Sequence, residues 1–437
     1  MSAGLPEIDA ALLQKRINEL SLITEAPPPA VTRVLLSDAD LRGRDYVAGL
    51  CQNAGLSLRV DAVGNMFARW EGSAPEAPAV ATGSHIDAIP NAGKFDGVVG
   101  VLGGLAAIEA LQEAGFRPMR SIELVVFTAE EPTRFGIGCL GSRMLAGALP
   151  FDKVRALRDA EGQSLEDLRR RADLTEPLES VALPKDYYAA FVELHIEQGP
   201  LLEQENIPVG VVQAIAGPSA YRVKIGGEGG HAGAVLMPGR HDASLAAAEL
   251  ALAVEKAALA SGSSDTVATT GKWEIFPNAI NSVPCEAVLE IDLRDTCLET
   301  RERALELMRS ASQEIAARRG VTIDWKEINA DPPADGDPKT IAIAEDVALQ
   351  LDLATMRMVS RAYHDSLFMA RICPTTMIFI PCRNGYSHRP EEYSDPAHIA
   401  AGTRVLAGTL ARLSHEPLVG TAGPAVTTEV RSKKNLS

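Results

Sequence analysis

Four short stretches carry residue types that hold metal ions. His85 is followed by Asp87 and, eleven residues on, by Asp96. Glu130 and Glu131 are adjacent, His195 stands in His195-Ile196-Glu197, and His388 stands in Tyr386-Ser387-His388-Arg389. Three imidazoles and several carboxylates suit a pair of divalent ions. One carboxylate bridges both, and each ion takes a histidine plus a further histidine or carboxylate. Adjacent glutamates can divide the remaining work, one ligating while its neighbour takes the proton of the attacking water. Asp87 is placed to orient His85. A lone histidine or a Glu-Glu pair is ordinarily structural, so spacing alone leaves a dinuclear centre and a set of structural residues equally open.

The elements that must position these residues favour convergence. Residues 79–82, 122–128, 188–194 and 376–381 are apolar runs with the character of buried parallel strands. Each of the four stretches follows one of them, and sites in open α/β sheets lie past the carboxyl ends of strands. None of the other five histidines follows a buried strand in this way. Helices are expected at 8–23, 38–54 (capped by Ser37), 98–114, 339–351, 364–371 and 397–413, with a hairpin at 56–67 turning on Gly64-Asn65. The charged, helical segment 144–187 is expected as a surface excursion.

Between 214 and 330 the composition shifts, and the order becomes β-α-β-β-α-β, a ferredoxin-like unit. The expected architecture is an α/β catalytic domain (1–213 and 331–416) with a mixed, largely parallel sheet flanked by helices. It is interrupted by an inserted ferredoxin-like α+β domain (214–330). The last residues, 417–437, are small, polar and finally basic, and are expected to be a disordered tail.

Composition narrows the function. At 46% hydrophobic and 23% charged, the 437-residue chain can bury a full core. A net charge of −16 argues against nucleic acid or an anionic membrane as partner and suits an enzyme of small molecules. The six cysteines contain no CxxC pair, as in a reducing compartment. No run of 18 apolar residues is present, and residues 1–23 lack a signal-peptide core, so the expected location is cytoplasmic.

The runs GSHIDAIPNAGKFDGVVGV, FTAEEPTRFGIGCLGSR, ELHIEQGPLLE, GGHAGAVLMPGRHDA and YSHRPEEYS resemble the metal-dependent amidohydrolase branch of the M20 peptidase family. They occur in the same order over about residues 8 to 415. That branch hydrolyses ureido and carbamoyl compounds: allantoate, ureidoglycolate and N-carbamoyl-L-amino acids. Within it, EEPTRFGIGCLGSR, SRAYHDSLFMARICP and IFIPCRNGYSHRPEEYS are most similar to ureidoglycolate amidohydrolase of plant purine (ureide) catabolism.

The resemblance implies roles residue by residue. His85, Glu131, His195 and His388 would ligate two metal ions, Asp96 would bridge them, and Glu130 would be the general base. The inserted domain would mediate a homodimer, and His231 on it would reach the partner's active site to stabilise an oxyanion. Asn281 and Arg294 would hold the substrate, Arg294 clamping a carboxylate; a strand-end ion pair with Asp292 or Asp295 is the alternative for Arg294. Gln213, Tyr363, His364 and Tyr386 are further pocket candidates, and His364 is also placed to cap a helix. His241, His398 and His415 are expected to be structural.

Manganese is favoured, as in the plant ureide enzymes, and zinc is compatible with the same ligands. The implied reaction is hydrolysis of (S)-ureidoglycolate to glyoxylate, ammonia and CO2 by a metal-bound hydroxide. Allantoate or an N-carbamoyl-L-amino acid are the alternative substrates. The plant relatives enter the secretory pathway, a location that this N-terminus does not suggest. Of the rival readings, the His231-Ala232-Gly233 run with Asn281 and Arg294 argues against a true M20 peptidase, the lack of a Glu-Lys-Cys arrangement against a Cys139-dependent amidase, and the full set of metal-type residues against a non-enzymatic binding protein.

Overall fold

The computed structural model describes residues 6–415; the expected tail at 417–437 lies outside them. Four parallel strands form its centre, in the spatial order Ile122–Phe127, Ala79–His85, Tyr188–Ile196, Thr375–Ile380. They are buried on both faces, which is why each reads as a continuous apolar run rather than an alternating one. Antiparallel strands extend the sheet on both sides. Met66–Trp70 and Ser57–Val60 lie beyond Ile122–Phe127. Val209–Ile215 lies beyond Thr375–Ile380 and also pairs with Ala334–Asp335 and, in parallel, with Thr355–Ser360. The sheet is mixed and nine-stranded. The strands at 209–215 and 355–360 were not expected from sequence.

Two layers cover this sheet. One face holds Val80, Leu124, Val126, Val192 and Ile378 against the helices Ala10–Ser21, Val98–Glu113, Pro338–Gln350 and Pro396–Ser414. The other face holds Phe67, Val125, Phe127 and Phe191 against Met144, Leu149, Val154, Leu165, Leu168 and Val181. Segment 144–187 is therefore a core layer and not a surface excursion. Leu140–Leu145 leads into it fully buried, and its short helices Phe151–Ala156 and Leu165–Arg171 bury Val154, Leu165 and Leu168 behind a charged outer face. That face dominates the composition and hides the buried stripe.

Residues 217–330 build a separate four-stranded antiparallel sheet in the order Val267–Phe276, Glu286–Asp295, Gly217–Gly226, Thr322–Ala330. The helices Ala243–Leu259 and Leu298–Arg319 cover one face, with a core of their own around Tyr221, Leu250, Leu289 and Met308. The first and third strands lie in the middle, the ferredoxin-like arrangement. The chain passes between the two sheets at Gly217 and Asp331. There Arg301 donates to the carbonyls of both residues, and the Asp331 carboxylate pairs with Arg143 at 2.7 Å and Arg371 at 3.2 Å.

Leu105, on the helix Val98–Glu113, is fully buried between helix and sheet. Leu105→Ala is expected to lower stability by about 2–5 kcal/mol, read as a fall in the denaturant midpoint with an unchanged m-value.

Candidate metal centre

The carboxyl ends of the four parallel strands deliver the sequence-predicted ligands to one rim. His85 ends its strand and His195 is the penultimate residue of its own. Glu130 and Glu131 follow Phe127, and His388 follows Ile380 on a longer loop. Asp96 precedes the helix Val98–Glu113, whose N-cap is Gly97 at φ 66°. A Cβ at Gly97 would lie 2.4 Å from Nε2 of His85, so glycine is what lets the imidazole close against the helix start.

Two donor groups share Asp96. Its Oδ1 lies 3.5 Å from His85 Nε2 and 3.2 Å from His195 Nε2. Its Oδ2 lies 3.4 Å from His388 Nε2, which is in turn 3.2 Å from Glu131 Oε1. The sets His85/Asp96/His195 and Asp96/Glu131/His388 each bring their ligand atoms within 4.8 Å of one another. Donors about 2.1 Å from a shared ion at tetrahedral angles stand about 3.4 Å apart. Both sets match that spacing, with one oxygen of Asp96 in each. The other ring nitrogens are committed: His85 Nδ1 to the Asp87 carbonyl at 3.1 Å, His195 Nδ1 to the Ile196 carbonyl at 2.9 Å. This orients both Nε2 atoms toward Asp96. The residues present fit two divalent ions.

Charge explains the local electrostatics. Burial opposes ionisation of Asp96, but hydrogen bonds from His195, His388 and His85 outweigh it and hold its carboxyl well below the usual range. Burial pushes Glu130 well above the carboxylate range and Asp87 up to about 6. Hydrogen bonds to Asp96 and Glu131 raise His388 to about 11. The acids thus hold protons on imidazoles that must be neutral to ligate, so cations are drawn to the positions of those protons. Asp87 is second in line behind the ligands, accepting the amides of Glu130 at 3.3 Å and Glu131 at 3.1 Å. Glu130 turns toward His85, its Oε2 3.8 Å from Nε2, and its Oε1 accepts the Cys139 thiol at 3.7 Å.

The remaining sequence candidates fall into two groups. Tyr363 and Arg294 contact each other, and buried His364 packs on His195. Arg294 makes the strand-end pair with Asp292 (2.7 and 3.1 Å), donates to the Arg361 carbonyl at 3.3 Å and lies 5.3 Å over the Tyr363 ring. His364 occupies the N-cap position of Asp365–Met369 but makes no cap bond; its ring pairs with Ser360 Oγ at 3.0 Å and packs 4.5 Å from His195. His231 and Asn281 sit together on a small ribbon (Gly230–His231 with Ser282–Val283), both exposed, and the His231 ring accepts only from Gly233 N. No hydrogen bond or ion pair among the described residues joins them to the metal-type cluster. Gln213 is exposed on its strand, and Tyr386 lies under Arg389 at 4.2 Å; neither side chain bonds to the cluster. His241 and His415 bind the Arg319 and Arg117 carbonyls, as structural histidines do.

Sequence reasoning missed Gln198 and Ser387, which donate to Asp96 Oδ2 at 2.7 Å each. Both sit within the motifs that carry His195 and His388, which is the one signal that pointed to them. It also missed Arg33, fully buried and bound to the carbonyls of Ile86, Leu20 and Ile23. Asp87→Asn puts an amide N–H against the Glu130 or Glu131 amide. The expected result is a fold unchanged by circular dichroism and metal affinity weakened by about 10–100-fold, measured by dye competition.

With the geometry described, comparisons place the chain. The family model "Peptidase family M20/M25/M40" matches residues 81–412. A ureidoglycolate hydrolase of Oryza sativa subsp. japonica is 54% identical over 414 residues, 93% of this chain and 85% of the rice protein. An N-carbamoyl-L-amino acid amidohydrolase of Geobacillus stearothermophilus is 36% identical, over 93% of this chain and 99% of that one. The solved structures of AtUAH in complex with (S)-hydroxyglycine and with glyoxylate superpose with TM-scores of 0.87 and 0.86 at 52% identity, covering 95% of this chain and all of theirs. On the family match and these identities, the chain belongs to the metal-dependent M20/M25/M40 peptidase family, among its hydrolases of non-peptide C–N bonds.

Proposed function

We propose that this protein hydrolyses (S)-ureidoglycolate to glyoxylate, CO2 and two molecules of ammonia. The observation that carries the reading is Asp96, whose two oxygens each complete a separate donor set, with Glu130 beside His85. The similarity to ureidoglycolate hydrolases, and to structures holding hydroxyglycine and glyoxylate, supplies the substrate class. His85, His195 and Asp96 would hold one divalent ion, and Asp96, Glu131 and His388 the other. Manganese is our reading, and zinc fits the same donors. Bound there, such ions lower the pKa of a water and polarise the ureido oxygen.

The chain's own residues do the rest. Glu130 takes the proton from the attacking water and returns it to the departing nitrogen. Attack at the ureido carbon releases one ammonia; the carbamate left behind loses CO2, and the resulting hydroxyglycine collapses to glyoxylate and the second ammonia. Arg294 meets the substrate carboxylate. Its pair with Asp292 fixes the guanidinium plane and uses two of its five N–H donors, leaving others for the ligand. Tyr363 lies against it, and His364 packs on His195.

Residues 214–330 act in this reading as a lid and dimerisation domain, with His231 serving the partner's site. The exposed apolar residues Leu236, Met237, Phe276 and Ile280 surround the His231 ribbon in sequence, and a patch of that kind favours a protein partner. A hydrogen-bond donor brought in this way would stabilise the developing oxyanion.

The test is ammonia and glyoxylate release by protein stripped of metal and reloaded with manganese or zinc. The substrates are (S)-ureidoglycolate, allantoate and N-carbamoyl-L-amino acids. Ureidoglycolate is expected to turn over fastest, only with metal, and Glu130→Gln to lower kcat by about 10²–10⁴-fold. A faster carbamoyl amino acid or allantoate overturns the substrate, and turnover without metal overturns the centre. Mixing inactive Glu130→Gln with inactive His231→Ala chains is expected to recover about a quarter of wild-type activity, since half the dimers then hold one complete site. No recovery on mixing would place His231 outside its partner's site.

A further inference from the structure

Glu392 has no part in the chemistry above, yet it is only 4% exposed and adjoins the Asp96 backbone and Ser387. Its Oε1 accepts two backbone amides, Phe95 N at 2.7 Å and Asp96 N at 3.1 Å. Its Oε2 lies 2.9 Å from the Ser387 oxygen, whose one hydroxyl hydrogen serves either Glu392 or Asp96 Oδ2, 2.7 Å away. A Cβ at Gly93 would stand 2.3 Å from Cβ of Glu392, so the Asp96 loop passes the side chain with no space between them. Oε1 is already engaged by two donors and Oε2 faces Ser387, which disfavours Glu392 as a ligand itself.

The placement matters because the ligands differ in what fixes them. His85 and His195 are strand residues, and Glu131 lies four residues past a strand, on amides held by Asp87. Asp96 and His388 are the two ligands that lie outside the strands and whose backbone Asp87 does not hold. His388 is 48% exposed at its side chain and has φ 59°. Its loop is closed at its ends by Arg383 N to the Tyr393 carbonyl and Ser394 Oγ to the Pro381 carbonyl, each 2.8 Å, and Asn384 N donates to Glu203. Glu392 ties this loop to the backbone of the Asp96 loop, across 297 residues of sequence, while Ser387 reaches the Asp96 carboxylate.

We propose that Glu392 is a positioning residue. Through the Phe95 and Asp96 amides and the Ser387 hydroxyl, it sets Asp96 and His388 at the separation that a second divalent ion requires. The inference rests on the dinuclear reading and deepens it, by naming what assembles the Asp96/Glu131/His388 half. The first half, His85/Asp96/His195, keeps two strand-borne histidines and depends on the clamp less.

The experiment counts ions and needs no substrate. Wild type, Glu392→Ala, Glu392→Gln and Ser387→Ala are stripped with chelator, checked for fold by circular dichroism and titrated with Mn2+. Bound metal is counted by mass spectrometry after desalting, and affinities are read by dye competition. Wild type is expected to bind two ions. Glu392→Ala is expected to bind one ion comparably and the other about 10–100-fold more weakly. Glutamine still accepts both amides and donates to Ser387, so Glu392→Gln is expected within about threefold of wild type, and Ser387→Ala between the two.

Wild-type binding of both ions by Glu392→Ala overturns the inference, as does a Glu392→Gln protein as impaired as the alanine variant. If Glu392→Ala does not fold, Ser387→Ala decides: wild-type binding of both ions by it likewise overturns the inference. A wild type that holds fewer than two ions instead overturns the dinuclear reading, and the two failures are thereby distinguished.

Discussion

The structure depends on keeping a concentration of buried negative charge at one rim of a sheet. Asp87, Asp96, Glu130, Glu131, Glu193, Asp365 and Glu392 are all less than a tenth exposed. Like charges this close cannot all be ionised in a low dielectric without compensation. The chain supplies little of that compensation as lysine or arginine. Asp87 and Glu392 take backbone amides, Glu193 takes the hydroxyls of Ser84 and Ser366, and Asp365 takes the Ser142 hydroxyl. Asp365 Oδ2 has no partner, and burial pushes this carboxyl well above the usual range. Dipolar donors orient these acids, and the histidines raised by Asp96 and its neighbours hold protons where cations would sit.

The buried arginine stands one layer further out. Arg33 is 1% exposed, binds three carbonyls and no carboxylate, and burial lowers it to about 10. By holding the Ile86 carbonyl it fixes the residue between His85 and Asp87, and its charge lies near Asp87 without contacting the ligands. The same economy appears at the passage between the two sheets. Arg143 and Arg371 flank the Phe368 ring at 4.3 and 4.8 Å and converge on Asp331, while Arg301 holds the carbonyls of both crossing segments. Strong ion pairs are thus placed where the chain must be held, and kept away from where charge must stay available.

This division decides what was legible in the sequence. His85, Glu130, Glu131 and His195 were readable because each ends an apolar run long enough to mark a buried strand, and the sheet then brings strand ends together. The ferredoxin-like unit was readable because its six elements have clear periodicity. Thr355–Ser360 was not: two methionines and an arginine in six residues carry no strand signal, and its pairing with Val209–Ile215 is tertiary. Segment 144–187 misled because its charges outnumber its buried residues. Gln198, Ser387, Glu392 and Arg33 act through bonds between distant parts of the chain, which no local pattern encodes. His364 was placed at its helix start correctly, but its ring turns to Ser360 because His195 offers an apolar face to pack on.

The different duties of Glu130 and Glu131 follow from backbone geometry. Ala129 has φ 51°, which ends the strand Ile122–Phe127 and turns the chain across the rim. The turned segment is then fastened by three amides in succession, Cys139 N to the Glu130 carbonyl, Leu140 N to Ala129 and Gly141 N to Thr128, at 2.8 to 2.9 Å. The two carboxylates of this segment reach different partners. One meets His85 and the Cys139 thiol, and the other meets His388 on the far side of Asp96. Asp87, accepting both amides, keeps the pair from rotating together. In the proposed reaction two identical side chains would serve as base and ligand, and the segment that carries them is fastened by residues 128 to 141 rather than by either glutamate.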